Sequence, residues 1–260
     1  MNVTAAKLAA IAAGAGAIIM RHYQAGTEVR IKDDRSPVTD ADEDAEAYIL
    51  AALARDFPDV PVAAEEAAAA GRGCNPCAHF FLVDPLDGTR EFLNRNGEFT
   101  VNIAEVKDGI AVAGVVYAPA KARLFLGDAG GAFEIAAEPE NAIDIDAARR
   151  IQARAPSMEG WVAVGSRSHN DAATEEFLKR FTVRQFVSAG SSLKFCLLAA
   201  GEADIYVRAG RTMEWDTAAG HAVLNAAGGR VTRWDGEPFL YGKPGFENGA
   251  FVARGLTPGE

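Results

Sequence analysis

Asp84-Pro85-Leu86-Asp87-Gly88-Thr89 follows directly on the apolar run Phe80-Phe81-Leu82-Val83. Two carboxylates three residues apart, split by a proline and followed by Gly-Thr, make a poor core and an uncommon surface turn. Three further acids stand at element ends rather than on a solvated helix face. Asp42, with Asp40 close by, lies at the start of a predicted second helix; Glu65 leads the Glu65-Glu66 pair; Asp216 follows Trp215 where another helix is predicted to begin. Each has an ordinary alternative role: a helix cap for Asp42 and Asp216, solvation for Glu65, and a turn for Asp84 to Asp87. A strand that delivers Asp84 to its C-terminal edge and then turns tightly would aim both carboxylates and the Leu86 carbonyl into one small volume. Oxygen-only ligation of that kind suits Mg²⁺ or Mn²⁺ and not zinc. Gly88 lets the backbone pass close to a ligand. Thr89 adds a hydroxyl, and a following helix would present N–H groups to a phosphate. Two hard cations about 3.5–4 Å apart would stabilise both the attacking water and the leaving oxygen of an in-line displacement. Phosphate monoesters hydrolyse so slowly unaided that enzymes supply up to ~10²¹-fold, so such a clamp has a purpose there.

The elements that must position these residues change style along the chain. Leu8, Ile11, Ala15, Ile18 and Ile19 recur at helical spacing, which predicts an amphipathic first helix continuing through Arg21-His22. The apolar run from Leu8 to Met20 lacks a clear cleavage site and is too short on its own to span a bilayer, so a cytoplasmic protein without a transmembrane segment is expected. Thr39 or Asp40 would cap a second helix reaching about Leu53. The stretch "EEAAAAGRGCNPC" reads as a loop of small residues. From Phe80 to Ile135 come short runs of strand type punctuated by Gly, Asp or Pro, as in an antiparallel meander. From Trp161 onward strand and helix patterns alternate, the mark of a layered α/β lobe. The expected division is an α+β lobe over 1–150 and an α/β lobe over 151–260, meeting at a crevice.

The 260 residues carry a formal net charge of −10, which disfavours nucleic acid polymers as partners. An anionic ligand must therefore be met by metal ions or by a few placed cations. Three cysteines are too few for a disulfide framework; Cys74-Asn75-Pro76-Cys77 reads as a loop before a strand, and Cys196 as a small buried hydrophobe.

The set "EE" (65–66), "DPLDGT" (84–89) and "WDTAAG" (215–220) resembles the magnesium-dependent, lithium-sensitive phosphatase superfamily of inositol monophosphatase and fructose-1,6-bisphosphatase. "FLVDPLDGTREFLNRNGEFTVNIAEV" and "SAGSSLKFCLLAAGEADIYVR" resemble the bacterial 3′(2′),5′-bisphosphate nucleotidase branch. The resemblance runs from the first helix to about Gly229 and implies a layered αβαβα sandwich. It implies two Mg²⁺ ions per site, or three: Glu65, Asp84 and the Leu86 carbonyl on the first, and Asp84, Asp87 and Asp216 on the second. It further implies that Asp42 and Thr89 activate the attacking water, while the amides of Gly88 and Thr89 meet the scissile phosphate. Within that branch His169, Ser191, Lys194 and Arg208 match positions that contact adenosine 3′,5′-bisphosphate. A substrate with two phosphates on one ribose needs cations away from the metals, a need that Lys194 and Arg208 would meet, with Ser191 as a hydrogen-bond donor. The implied activity converts 3′-phosphoadenosine 5′-phosphate to AMP, and the 5′-phosphosulfate analogue likewise, in sulfur metabolism. The alternatives are an inositol- or sugar-phosphate phosphatase with the same acids, and a catalytically silent regulator that binds nucleotide or metal. A monomer or homodimer, cytoplasmic or loosely attached to a membrane surface, is consistent with this reading.

Overall fold

The computed structural model describes residues 2–26, 29–31, 37–166 and 171–257. The first helix, α1 (Val3–Ala25), begins at Asn2, whose side chain accepts the Ala5 N–H. It extends beyond the apolar run read from the sequence and is long and apolar enough to cross a membrane by length and composition. Here Leu8, Ile11, Ala12, Ala15 and Ile19 are buried in a core shared with the second helix and the larger sheet. A short hairpin of β1 (Val29–Ile31) and β2 (Pro37–Thr39) leads into α2 (Asp40–Asp56). Next come β3 (Val62–Ala64) and α3 (Glu65–Ala69), so the small-residue stretch starts as a helix rather than a loop. Alanines favour that turn, and the buried Glu46 of α2 takes its Glu66 and Ala67 N–H groups at 2.8 Å each.

The meander follows as expected. It runs β4 (His79–Asp87), the short α4 (Thr89–Leu93), β5 (Thr100–Lys107), β6 (Ile110–Ala118), β7 (Arg123–Asp128), β8 (Gly131–Ala136) and β9 (Arg149–Ile151). Strands β3 to β9 make one seven-stranded sheet in sequence order, parallel at β3–β4 and antiparallel elsewhere. The rest of the chain runs β10 (Trp161–Gly165), α5 (Ala172–Leu178), β11 (Val183–Ser188), α6 (Leu193–Ala199), β12 (Ile205–Arg208), β13 (Thr212–Met213) and α7 (Ala218–Ala226). It ends with β14 (Arg230–Arg233), β15 (Glu247–Asn248) and β16 (Phe251–Arg254). The second sheet is mixed, in the order β11-β10-β12-β16-β14.

The layers are those of an αβαβα sandwich. Helices α1 and α2 cover one face of the large sheet; α6 and α7 lie between the sheets; Phe177 of α5 packs on the outer face of the second sheet. One apolar core holds Phe80, Leu82 and Val116 of the first sheet together with Phe195, Val223 and Phe251 of the second. The two sheets thus share one continuous apolar core through α6 and α7.

Helix α7 sits unusually close to the large sheet because glycines occupy the strand positions beneath it. A Cβ on Gly114 would lie 2.6 Å from the Ala219 carbonyl oxygen, and one on Gly127 would lie 2.6 Å from the Val223 Cα. Both conflicts are with helix backbone, which cannot swing aside. Gly114→Ala is expected to cost about 1–3 kcal/mol through overpacking, or roughly 3–10 °C in Tm for a chain of this size. Gly249→Ala, with nothing within 4 Å of its Cβ, should be nearly silent. Differential scanning calorimetry of the two variants checks the contrast.

Candidate active site

Residues Asp84 and Asp87 are both on β4, where residues three apart would ordinarily face opposite sides of a sheet. They do not here. Asp84 pairs with Asn102 and Asp87 with Thr100, so three steps on β4 match two on β5. That is a bulge of one residue, at a place where Pro85 has no N–H to give to a ladder. The strand therefore continues through the motif, and the reversal of side-chain direction comes from the bulge instead of a terminal turn. The Leu86 N–H folds back onto Asp84 Oδ1 at 3.0 Å. Gly88 then takes φ = 91°, and a Cβ there would stand 2.2 Å from the Ser191 hydroxyl, so only glycine fits the crossing.

Asp42 has two roles in one carboxylate. Its Oδ2 accepts from the N–H and hydroxyl of Thr39 at 2.8 and 2.7 Å, closing a capping box at the start of α2. Its Oδ1 accepts the Thr89 hydroxyl at 3.2 Å. One oxygen thus serves the helix start and the other faces Thr89. Asp40 is exposed and paired with Arg30 at 2.7 Å, away from Thr89.

Glu65 opens α3, directly after β3, which lies alongside β4. Asp216 does not start α7; Thr217 is the N-cap, and the helix begins at Ala218. The Asp216 carboxylate instead closes a turn on the Met213 N–H at 2.8 Å. Behind that turn Glu214, fully buried, holds the N–H groups of Gly242 and Lys243 at 2.7 and 2.9 Å and the Lys243 ammonium at 2.6 Å. Asn248 donates to the Met213 carbonyl at 2.8 Å.

These acids share one field. Burial pushes the Asp84 carboxyl well above its ordinary range, and Glu65, Asp87, Asp216 and Asp42 push it further. Asp216 is raised by desolvation and then by Asp87, with the Met213 N–H opposing. Among the described residues no three Asp, Glu, His or Cys side chains stand as a ready-made ligand set. Asp84, Asp87 and Asp216 each accept a backbone N–H, from Leu86, Ser192 and Met213. The donor chemistry fits a hard divalent cation: oxygen atoms only, one carboxylate 2% exposed, and mutual repulsion that such an ion would reverse.

Two hollows flank the acids, and Asp216 lines both. One is bounded by Asp87, Gly88, Ser166, Lys194, Arg208 and Asp216; the other by Glu65, Arg72, Arg211, Trp215, Phe246 and Asp216. Lys194 is 5% exposed, not a solvated helix residue. Its ammonium donates to the Ser191 carbonyl at 2.7 Å and lies 5.2 Å from the Tyr206 ring centre. Burial pulls it down to about 8, with Asp87 opposing and Arg208 assisting. Ser191 departs from expectation. Its hydroxyl lies 2.8 Å from the carbonyls of both Asp87 and Glu98, so its one proton serves the backbone and not a ligand. It holds φ = 54°, a strained value for serine that the two contacts impose. His169 lies outside the described residues. His22, His79 and His221 hydrogen-bond Asp44, Glu105 and Tyr241 and play structural parts.

Sequence reasoning missed Asn102, Ser192, Glu214 and Asn248. Asn102 carried a signal, a polar amide inside the apolar run "TVNIAEV"; the others had none that could be read without their partners.

If repulsion dominates the metal-free site, removing one charge should stabilise it. Asp84→Asn keeps an acceptor for the Leu86 N–H. It is expected to raise the metal-free Tm by a few degrees, about 1 kcal/mol or more, while abolishing the Tm rise expected of the unaltered protein in MgCl2. Thermal denaturation with and without MgCl2 measures both; a lower metal-free Tm in the variant contradicts the account.

A profile of the inositol monophosphatase family matches residues 1–257. The Escherichia coli K12 protein named 3′(2′),5′-bisphosphate nucleotidase CysQ is 44% identical over 234 residues, 89% of this chain and 91% of that one. The crystal structure of CysQ from Bacteroides thetaiotaomicron superposes with a TM-score of 0.81 at 36% identity, covering 97% of this chain and 98% of that one. An IMPase of Thermotoga maritima follows at 0.76 and 26% identity, covering 95% and 90%. With acids gathered on an αβαβα frame and relatives matching nearly end to end, this chain belongs to the inositol monophosphatase family of metal-dependent phosphatases.

Proposed function

We propose that this protein hydrolyses the 3′-phosphate of 3′-phosphoadenosine 5′-phosphate to AMP and inorganic phosphate, and acts likewise on the 5′-phosphosulfate analogue. The observation that carries the reading is a single cleft lined by Asp87 and Asp216 together with Lys194 and Arg208. A monoester needs one phosphate site, beside the acids. Two further cations lining the same cleft, in a protein of net charge −10, provide for a second phosphate. The CysQ relatives point the same way.

Glu65, Asp84, the Leu86 carbonyl, Asp87 and Asp216 would hold two Mg²⁺ ions, or three, which stabilise the attacking and leaving oxygens when bound. Thr89 donates to Asp42, and that contact orients the carboxylate that would accept the proton of the attacking water. Gly88, lacking a side chain, leaves its N–H and that of Thr89 open to the scissile phosphate. Lys194 and Arg208 would grip the 5′-phosphate and orient the nucleotide; Ser191, with its proton spent, contributes by shaping the loop that leads into α6 and Lys194. The Asp42–Thr89 contact argues against a silent regulator. We place the protein in the cytoplasm, acting as monomer or homodimer.

The Thermotoga neighbour favours an inositol phosphate as the second reading. Lys194→Ala separates the two. Losing a charged hydrogen bond worth about 1.5–3 kcal/mol should raise KM for the bisphosphate roughly 10- to 100-fold and change KM for inositol 1-phosphate little. Phosphate-release assays on both substrates decide it; better turnover of inositol 1-phosphate by the unaltered enzyme overturns the reading.

A pH dependence follows as well. With Lys194 near 8, its proton is held below that pH and lost above it. KM for the bisphosphate should therefore rise about tenfold per unit above pH 8, and the rise should be absent in Lys194→Ala. Initial rates between pH 7 and 9.5 test it.

A further inference from the structure

Asn102 and Ser192 lie behind the side chains that would meet cation or substrate, and they touch elements from both lobes. Asn102, in the middle of β5, has no solvent exposure. Its Nδ2 donates to Asp87 Oδ2 at 3.3 Å and to the Ser192 hydroxyl at 3.0 Å. The Ser192 N–H donates to the same Asp87 oxygen at 2.6 Å, and its hydroxyl donates to the Asp216 carbonyl at 2.5 Å. The directions are forced. An amide NH₂ cannot accept, so the hydroxyl accepts from Asn102 and must spend its one proton on Asp216. Three segments far apart in sequence, at 87, 102 and 192, thereby meet the one at 216.

The fold alone gives no reason for this arrangement. Asn is a poor strand residue, and Asn102 Oδ1 is buried with no hydrogen-bond partner, which carries a cost that an apolar residue would avoid. Its neighbour across the ladder is Asp84, and its own amide reaches Asp87.

We propose that Asn102 and Ser192 are positioning residues: together they aim the Asp87 carboxylate and fix the Asp216 segment so that the acids can close on a divalent cation. They also tie that closure to the start of α6, which carries Lys194. The inference rests on Asp87 and Asp216 being cation ligands, and it is independent of which phosphate ester is cleaved. Residues that orient metal ligands from behind commonly change metal affinity or activity 10- to 100-fold when altered.

The test is thermal denaturation of the full chain in rising MgCl2 without substrate, read as the concentration giving half the maximal Tm rise. Asn102→Ala and Ser192→Ala should each raise that concentration ~10- to 100-fold, and Ser192→Thr, which restores a hydroxyl, should bring it back to within about threefold. Lys194→Ala should raise KM for the bisphosphate without moving the Mg²⁺ midpoint, which a general loss of packing could not reproduce. If folded Asn102→Ala and Ser192→Ala show the midpoint of the unaltered protein, the proposal is overturned. It is equally overturned if both variants fail to fold, since the two residues would then be structural. Absence of any Mg²⁺-induced Tm rise in the unaltered protein would instead refute the cation reading itself.

Discussion

A single extra residue in β4 decides the geometry of the site. Without the bulge between Asp84 and Asp87, one carboxylate would enter the seam and the other would be driven into the opposite face of the sheet, among the apolar side chains under α1 and α2. With it, both face the seam, and the like-charge repulsion that raises Asp84 becomes unavoidable. Repulsion of this sort is an energetic liability by itself and would become an asset toward a divalent cation, because the same burial that penalises the anions would strengthen their attraction to it. The apolar core shared by the two sheets lies beside this charged seam.

Much of the frame was legible because it depends on local pattern. The first helix, the capped second helix and the strands from Phe80 to Ile135 follow hydrophobic periodicity and turn residues, and the structure has them where those signals lie. The elements that read differently are those governed by contacts distant in sequence. The start of α3 relies on Glu46, some 20 residues away, to cap it. Asp216 looked like a helix start because Asp often caps helices, yet its carboxylate turns back onto Met213 and leaves capping to Thr217. The bulge at Pro85 was read as a turn, since a proline between two aspartates says only that a regular ladder fails, not how.

The site divides along the same line. Acids that would meet an ion or the attacking water stand out by type and position, so Asp42, Glu65, Asp84, Asp87 and Asp216 could be named from the chain alone. Asn102 showed only as a polar residue in an apolar run, and Ser192, Glu214 and Asn248 not at all, because such residues acquire meaning from their partners, which lie 15 to 105 residues away. Ser191 is the converse case. Its neighbourhood in sequence suggested a ligand contact, whereas in the structure its hydroxyl ties the 189–192 loop to the Asp87 and Glu98 carbonyls.

That tie bears on how the two halves of the cleft act together. Ser191 grips the backbone of Asp87 while Ser192 grips its side chain and the backbone of Asp216, so the loop leading into Lys194 is bonded at two points to the segments that would carry cations. A displacement at Lys194 would reach Asp87 through these bonds, and one at Asp87 would reach the loop. Any coupling of ion and nucleotide binding through them would by linkage be reciprocal, whichever its sign.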